Sequence, residues 1–171
     1  MAKAIFLTGA PGSGKTTAIQ RVTARLNRKA NGFITQELRE AGKRKGFKII
    51  TLEGDEGVLA HVERRGFPRI GRYGVNLDAI DTLGVKSLRR ALEMGTLAVV
   101  DEIGPMEILS ENFCQVVLEL LHGDVEVLGT IVKRSRPFTD KVKSFPNVTV
   151  LEIQPGNRDR MVEQLLKYLE S

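Results

Sequence analysis

Apolar residues in this chain fall into two patterns, short unbroken runs and stripes at helical spacing. Ala4 to Thr8, AIFLT, reads as a short buried strand, and Lys15 to about Leu26 as a helix. Ile34 to Arg39 and Phe47 to Leu52 are strand-like and flank the polar stretch EAGKRKG, which predicts a β-hairpin. Residues 53 to 74 are rich in Gly, Arg and Glu, and one or two short strands are expected there, around Val58 to Val62 and Arg72 to Val75. Ser87 to Met94 predicts a helix that Gly95 stops.

Leu97 to Asp101, LAVVD, is a continuous apolar run ending in an acid, the pattern of a buried parallel strand. Phe113, Val116, Val117, Leu120 and Leu121 then form a helical stripe, with Ser110 as its N-cap and Gly123 as its stop. Val125 to Val132 and Val148 to Ile153 read as two further buried strands, the second following the turn Phe145-Pro146-Asn147. Val162, Leu165, Leu166 and Leu169 share one face of a last helix. Strands alternating with helices predict an α/β fold with a largely parallel central sheet, helices on both faces and an antiparallel hairpin. Residues 1 to 171 are expected to form a single domain, since no linker or repeat divides them.

Composition narrows the class. No apolar stretch approaches the roughly 18 residues of a membrane span, and the amino-terminal MAKAIFLTG lacks a signal-peptide layout. A single cysteine, Cys114, excludes an internal disulfide, and a cytoplasmic location is expected. His61 and His122 lie far apart with no cysteine nearby, which argues against a zinc site. The net charge of +5 invites nucleic acid as a partner, but a mildly basic surface also suits a protein that handles polyanionic nucleotides. Apart from Lys43-Arg44-Lys45 and Lys133-Arg134-Ser135-Arg136 the basic residues are spread out, so nucleic acid stays an unproven candidate, and oligomeric state is left open.

The densest chemistry is Gly9-Ala10-Pro11-Gly12-Ser13-Gly14-Lys15-Thr16-Thr17. Gly9, Gly14, Lys15 and Thr16 fit G-x-x-x-x-G-K-[ST], between a predicted strand and a predicted helix. Backbone amides can wrap a polyphosphate only where side chains do not obstruct, and the helix N-terminus adds positive potential. Lys15 is placed to reach the β- and γ-phosphates, and the Thr16 hydroxyl to ligate Mg²⁺. A loop of this kind needs an acid for its metal, expected at the end of a buried strand beside the loop strand; Asp101 supplies it, acting through water. Glu102 is placed to polarise an attacking water, against the plainer reading of a surface acid at a strand end. Glu107 follows the Gly104-Pro105 turn as a further acid for this group. Arg39, Arg44, Arg134 and Arg136 are candidates for a positive charge near the leaving phosphate. Asn157-Arg158-Asp159 approaches a guanine-reading motif without matching it, and capping of the last helix is the favoured reading, so no strong base selectivity is expected.

GAPGSGKTT, GFITQELREAGKRKGF and VVDEIGPMEI together resemble the THEP-type P-loop nucleoside-triphosphatases. The resemblance runs on through Arg39, Arg44, Gly46 and Phe47, Tyr73 and Val75, LGTIV and Asn157-Arg158. It implies a RecA-like fold and slow Mg²⁺-dependent hydrolysis of ATP, GTP and other nucleoside triphosphates to the diphosphate. It also implies nucleotide contacts from Gly9 to Thr16 and from the strand segment Leu97, Ala98, Val99, Val100, Asp101, Glu102, Ile103 and Gly104. One departure is Pro105, where the family commonly carries lysine. Two further readings accompany hydrolysis: a small-molecule kinase with RPFTDKVKSFP as a short lid, and an ATPase stimulated by a partner or nucleic acid.

Overall fold

The computed structural model describes residues 1 to 170. The strands are β1 (Ala4–Thr8), β2 (Ala30–Glu40), β3 (Lys43–Thr51), β4 (Glu56–His61), β5 (Arg69–Ile70), β6 (Tyr73–Val75), β7 (Leu97–Ile103), β8 (Val127–Ile131) and β9 (Val148–Glu152). The helices are α1 (Lys15–Arg25), α2 (Leu77–Ala79), α3 (Lys86–Met94), α4 (Glu111–His122), α5 (Pro137–Lys143) and α6 (Arg158–Glu170), with a π-helical turn at Ile80–Val85 between α2 and α3. All strands join one sheet in the order β5-β6-β4-β3-β2-β7-β8-β1-β9.

Strands β2, β7, β8, β1 and β9 pair in parallel, and β3, β4, β6 and β5 extend the β2 edge as an antiparallel meander. The α/β architecture expected from the sequence is present, with an antiparallel part larger than the expected hairpin. Alternate side chains of the parallel strands face opposite layers. Ile5, Leu7, Leu97 and Val99 pack with Ala18, Ile19, Val22 and Leu165 of α1 and α6. Ala4, Phe6, Ala98 and Val100 pack with Leu88, Phe113, Val117 and Val142 of α3, α4 and α5. Helices therefore cover both faces, which explains the unbroken apolar runs of β1 and β7.

The helical stripe and its cap are as read: Phe113, Val116, Val117, Leu120 and Leu121 are buried, and the Ser110 hydroxyl accepts a hydrogen bond from the Phe113 amide. Several boundaries move. Strand β2 starts at Ala30 because Ala30 to Phe33 pair with Leu97 to Val100, a partner distant in sequence. The hairpin turn is only Ala41-Gly42, with φ of 52° and 76°, the type I′ geometry of a two-residue loop. The basic run Lys43-Arg44-Lys45 is thus strand. The helix expected from Ser87 is entered through α2, where the Asn76 side chain accepts from the Ala79 amide. RPFTDKVKSFP forms no lid: Pro137 opens α5, and Thr139 and Val142 are fully buried under it. Among the described residues no helix is long and apolar enough to cross a membrane.

Candidate active site

All five parallel strands end on the same side of the sheet, and the loop after β1 meets the end of β7 there. Against the expectation that the acid strand lies beside the loop strand, β8 lies between β1 and β7. The loop curls back over that gap. Gly14, the last residue before α1, has φ of 96° and so takes the left-handed conformation glycine allows. A Cβ there would also lie 2.8 Å from Arg158 Cδ, so the Arg158 side chain rests directly on the loop. Lys15 Nζ donates to the Gly9 carbonyl at 2.8 Å and lies 3.9 Å from Glu102 Oε2.

Asp101 is 2 % exposed, yet forms no ion pair among the described residues. Three donors hold it. Thr130 Oγ1 donates to Oδ1 at 2.6 Å, and Thr16 Oγ1 and the Thr35 amide donate to Oδ2 at 2.9 and 3.3 Å. Burial pushes the Asp101 carboxyl up from its ordinary range, against the pull of these donors and of Lys15. Glu102 is also raised, first by burial and then by the Asp101 charge, while Lys15 opposes. Glu107, 4 % exposed in the short 3₁₀ turn after Gly104-Pro105, is raised well above the usual glutamate range by burial and by the charge on Glu102. Three acids thus share one poorly solvated corner with a single lysine. The Thr16 hydroxyl and Asp101 Oδ2 are hard oxygens side by side, and the carboxylate lacks a counter-cation; this donor set fits Mg²⁺.

A cleft of about 1000 Å³ runs over these groups. It is lined by Gly9, Ala10, Pro11, Gly12, Gly14, Lys15, Thr16 and Thr17 of the loop, and by Asp101 and Glu102. Ser13 is buried behind them, its hydroxyl without a partner among the described residues. The rest of the strand segment stays out of the cleft. Leu97, Ala98, Val99, Val100 and Ile103 are sealed in the core, and neither Gly104 nor Pro105 lines the opening.

The four candidate arginines divide. Arg44 and Arg134 line the cleft; Arg39 and Arg136 do not. Arg39 is tied to Glu37 and to the Gly42 carbonyl, and Arg136 precedes α5. Arg44 Nε donates to the Tyr73 hydroxyl at 3.0 Å and its Nη1 to Glu37 at 3.2 Å, whereas Arg134 is exposed with no partner among the described residues.

Other residues of the site carry weaker signals in the sequence. Thr130 is a polar residue in an apolar strand, a signal open to view in LGTIV; Thr35 acts through its backbone and leaves none. Arg158 sat inside the tripeptide read as a cap. Asn157 caps the 3₁₀ turn Pro155–Asn157 rather than the last helix: its Oδ1 accepts from the Gln154 amide at 2.7 Å. Asp159 pairs with Arg21 at 2.9 Å on the surface. Neither lines the cleft, and Arg158 between them does.

Comparison with known proteins agrees with this geometry. The family model described as NTPase matches residues 4 to 166. The nucleoside-triphosphatase THEP1 of Thermotoga sp. (strain RQ2) is 44% identical over 166 residues, covering 97% of this chain and 95% of that protein. The crystal structure of THEP1 from Aquifex aeolicus superposes with a TM-score of 0.91 at 34% identity, over 98% of this chain and 99% of that one. The solution structure of a human cancer-related nucleoside triphosphatase superposes with a TM-score of 0.83 at 32% identity, over 98% and 97%. With the loop, the buried acid and the strand order in place, the chain belongs to this nucleoside-triphosphatase family.

Proposed function

We propose that this protein hydrolyses nucleoside triphosphates to the diphosphate and phosphate, that hydrolysis requires Mg²⁺, and that the base matters little. The observation that carries the reading is the buried Asp101 carboxylate, held by three donors, beside Lys15, Glu102 and the glycine-rich loop in one cleft.

The amides from Gly9 to Thr16 hold the polyphosphate, and Lys15 leaves the Gly9 carbonyl for the β- and γ-phosphate oxygens. Thr16 and Asp101 would hold Mg²⁺, which would supply charge neutralisation on those oxygens. Glu102 takes a proton from water as the water oxygen bonds to the γ-phosphorus and the bridging oxygen leaves with the diphosphate. Its proximity to Lys15 and its partial burial argue against a surface acid, and a raised proton affinity makes it a better base. Broad base tolerance is supported by the engagement of Asn157 and Asp159 elsewhere, which leaves no carboxylate reader at that end of the cleft.

The test is phosphate release from ATP, GTP, CTP and UTP, with Mg²⁺ and with a chelator. Comparable release from all four, abolished by chelation, is expected. A preference of more than about tenfold for one base, 1.4 kcal/mol of discrimination, would overturn the broad reading, and release that survives chelation would overturn the metal requirement.

A further inference from the structure

The meander brings two basic segments, separate in sequence, to the sheet edge that carries the cleft. Strand β2 runs parallel to β7, so its far end, the Ala41-Gly42 turn and the start of β3 lie on the side where β1 and β7 deliver the loop and the acids. The end of β4 pairs there, His61 opposite Gly46, and β6 returns beside it. Between β4 and β6 the chain reads VERRGFPRIGR, four arginines against the single acid Glu63. The segment is braced by its own arginines. Arg69 donates to the carbonyls of Arg64 and Arg72, both at 2.7 Å, and Arg72 donates to the Arg44 carbonyl at 2.9 Å, which ties this segment to β3.

The ion pairs at this end belong to Glu37, with Arg39 and Arg44, and His61 Nε2 lies 4.0 Å from Glu40 Oε1. Lys43, Lys45, Arg64, Arg65, Arg69 and Arg72 have none among the described residues. In their midst Phe67 is 94 % exposed. An apolar ring held in water at the tip of a braced loop is uncommon, and no hydrophobic patch surrounds it to suggest a protein core contact. Arg72 lies over the Tyr73 ring at 5.2 Å and Arg44 over Phe47 at 5.4 Å, so cations and aromatic faces interleave from the cleft outward.

We propose that this edge binds single-stranded nucleic acid, with Phe67 as a stacking platform and Lys43, Arg64 and Arg65 on the phosphates. The pairing of stacking faces with a cationic track is what an unpaired strand uses, because every base offers a π-face and every nucleotide a charge. An acidic protein would engage the charges and leave the ring idle. An anionic membrane would call for a wider apolar face than one phenylalanine.

Fluorescence anisotropy with a labelled oligothymidine tests the proposal. Three phosphate contacts predict that affinity falls about 20-fold between 50 and 200 mM salt, at about 0.7 per contact on the log–log slope. Phe67→Ala should weaken binding by about 5- to 150-fold, and Arg65→Ala or Lys43→Ala should each lower the salt slope by about 0.7. None of the three residues lines the cleft, so unchanged basal hydrolysis reports that each variant is folded. Absence of binding up to about 100 μM at low salt overturns the proposal. So does an unchanged affinity in Phe67→Ala, or equal binding of heparin or phosphatidylserine vesicles.

Discussion

Glu107 offers a quantitative test of the acidic corner. Its carboxyl is almost fully buried, and burial and the Glu102 charge raise its proton affinity well above the ordinary range. In the unfolded chain Glu107 loses its proton near about pH 4.3. Above that pH, and up to the raised native value, the native state holds one proton more than the unfolded state. The slope of stability against pH is then negative, about −1.4 kcal/mol per pH unit for this group. Its favourable contribution is complete at acid pH and is lost as pH rises through the native value. Glutamine matches the shape of the neutral acid and carries no titratable proton. Glu107→Gln should therefore match the wild type near about pH 4.5 and exceed its stability by more than about 1 kcal/mol near about pH 7.5. Urea denaturation of the nucleotide-free protein across that range is the assay. Parallel stability profiles for the two proteins would show that Glu107 carries no raised proton affinity, and would remove it from the corner.

Further predictions address the remaining groups. Glu102→Gln should bind nucleotide normally while phosphate release falls by about 10²- to 10⁴-fold; normal turnover would take Glu102 out of the mechanism. Lys15→Ala should weaken nucleotide binding and turnover together, measured by titration and phosphate release; a variant that loses turnover alone would limit Lys15 to the transition state. Thr130→Val removes a bond to a buried carboxylate, worth about 1.5–3 kcal/mol, and should raise the Mg²⁺ concentration for half-maximal activity by about tenfold or more; an unchanged requirement would show that Asp101 does not depend on this donor. Arg134 is exposed and unbraced, so basal turnover should be slow, on the order of 10⁻⁴ to 10⁻² per second, and Arg134→Ala should lower it by less than about tenfold. A thousandfold loss would identify Arg134 as a finger acting within the chain.

What the sequence made legible and what it hid divide along a physical line. Leu97 to Asp101 announced itself because a strand covered on both faces must be apolar throughout, and the acid at its end could only face an opening. The stripe from Phe113 to Leu121 was legible for the same reason, one helical face against one sheet. The loop from Gly9 to Thr16 was legible because phosphate binding is written in local backbone requirements. By contrast, the first residues of β2 are strand because β7 lies beside them, and nothing in Ala30 to Phe33 names that partner. The basic run after the hairpin looked like turn because two residues with positive φ complete the reversal where seven polar ones stood. The arginines could not be sorted: Arg39 and Arg44 stand opposite each other across the hairpin, yet Arg44 lines the cleft while Arg39 is tied to Glu37 and the Gly42 carbonyl. Thr35 holds Asp101 through its amide, a contribution every residue type makes alike.

The strand order also explains why the site has the donors it has. With β8 between β1 and β7, the loop strand and the acid strand are two strand spacings apart, on the order of 10 Å. The start of α1 must cross β8 for the Thr16 hydroxyl to come within 2.9 Å of Asp101. The intervening strand therefore has to be polar where the acid sits, and Thr130 meets that demand, fully buried with its hydroxyl 2.6 Å from Asp101. Gly129 answers to the other face of the sheet: a Cβ there would lie 2.2 Å from the Val100 carbonyl oxygen and 3.1 Å from the Phe6 ring, in the layer away from α1. LGTIV is thus the spacer between the loop strand and the acid strand, and its threonine belongs to the site as much as the residues on either side.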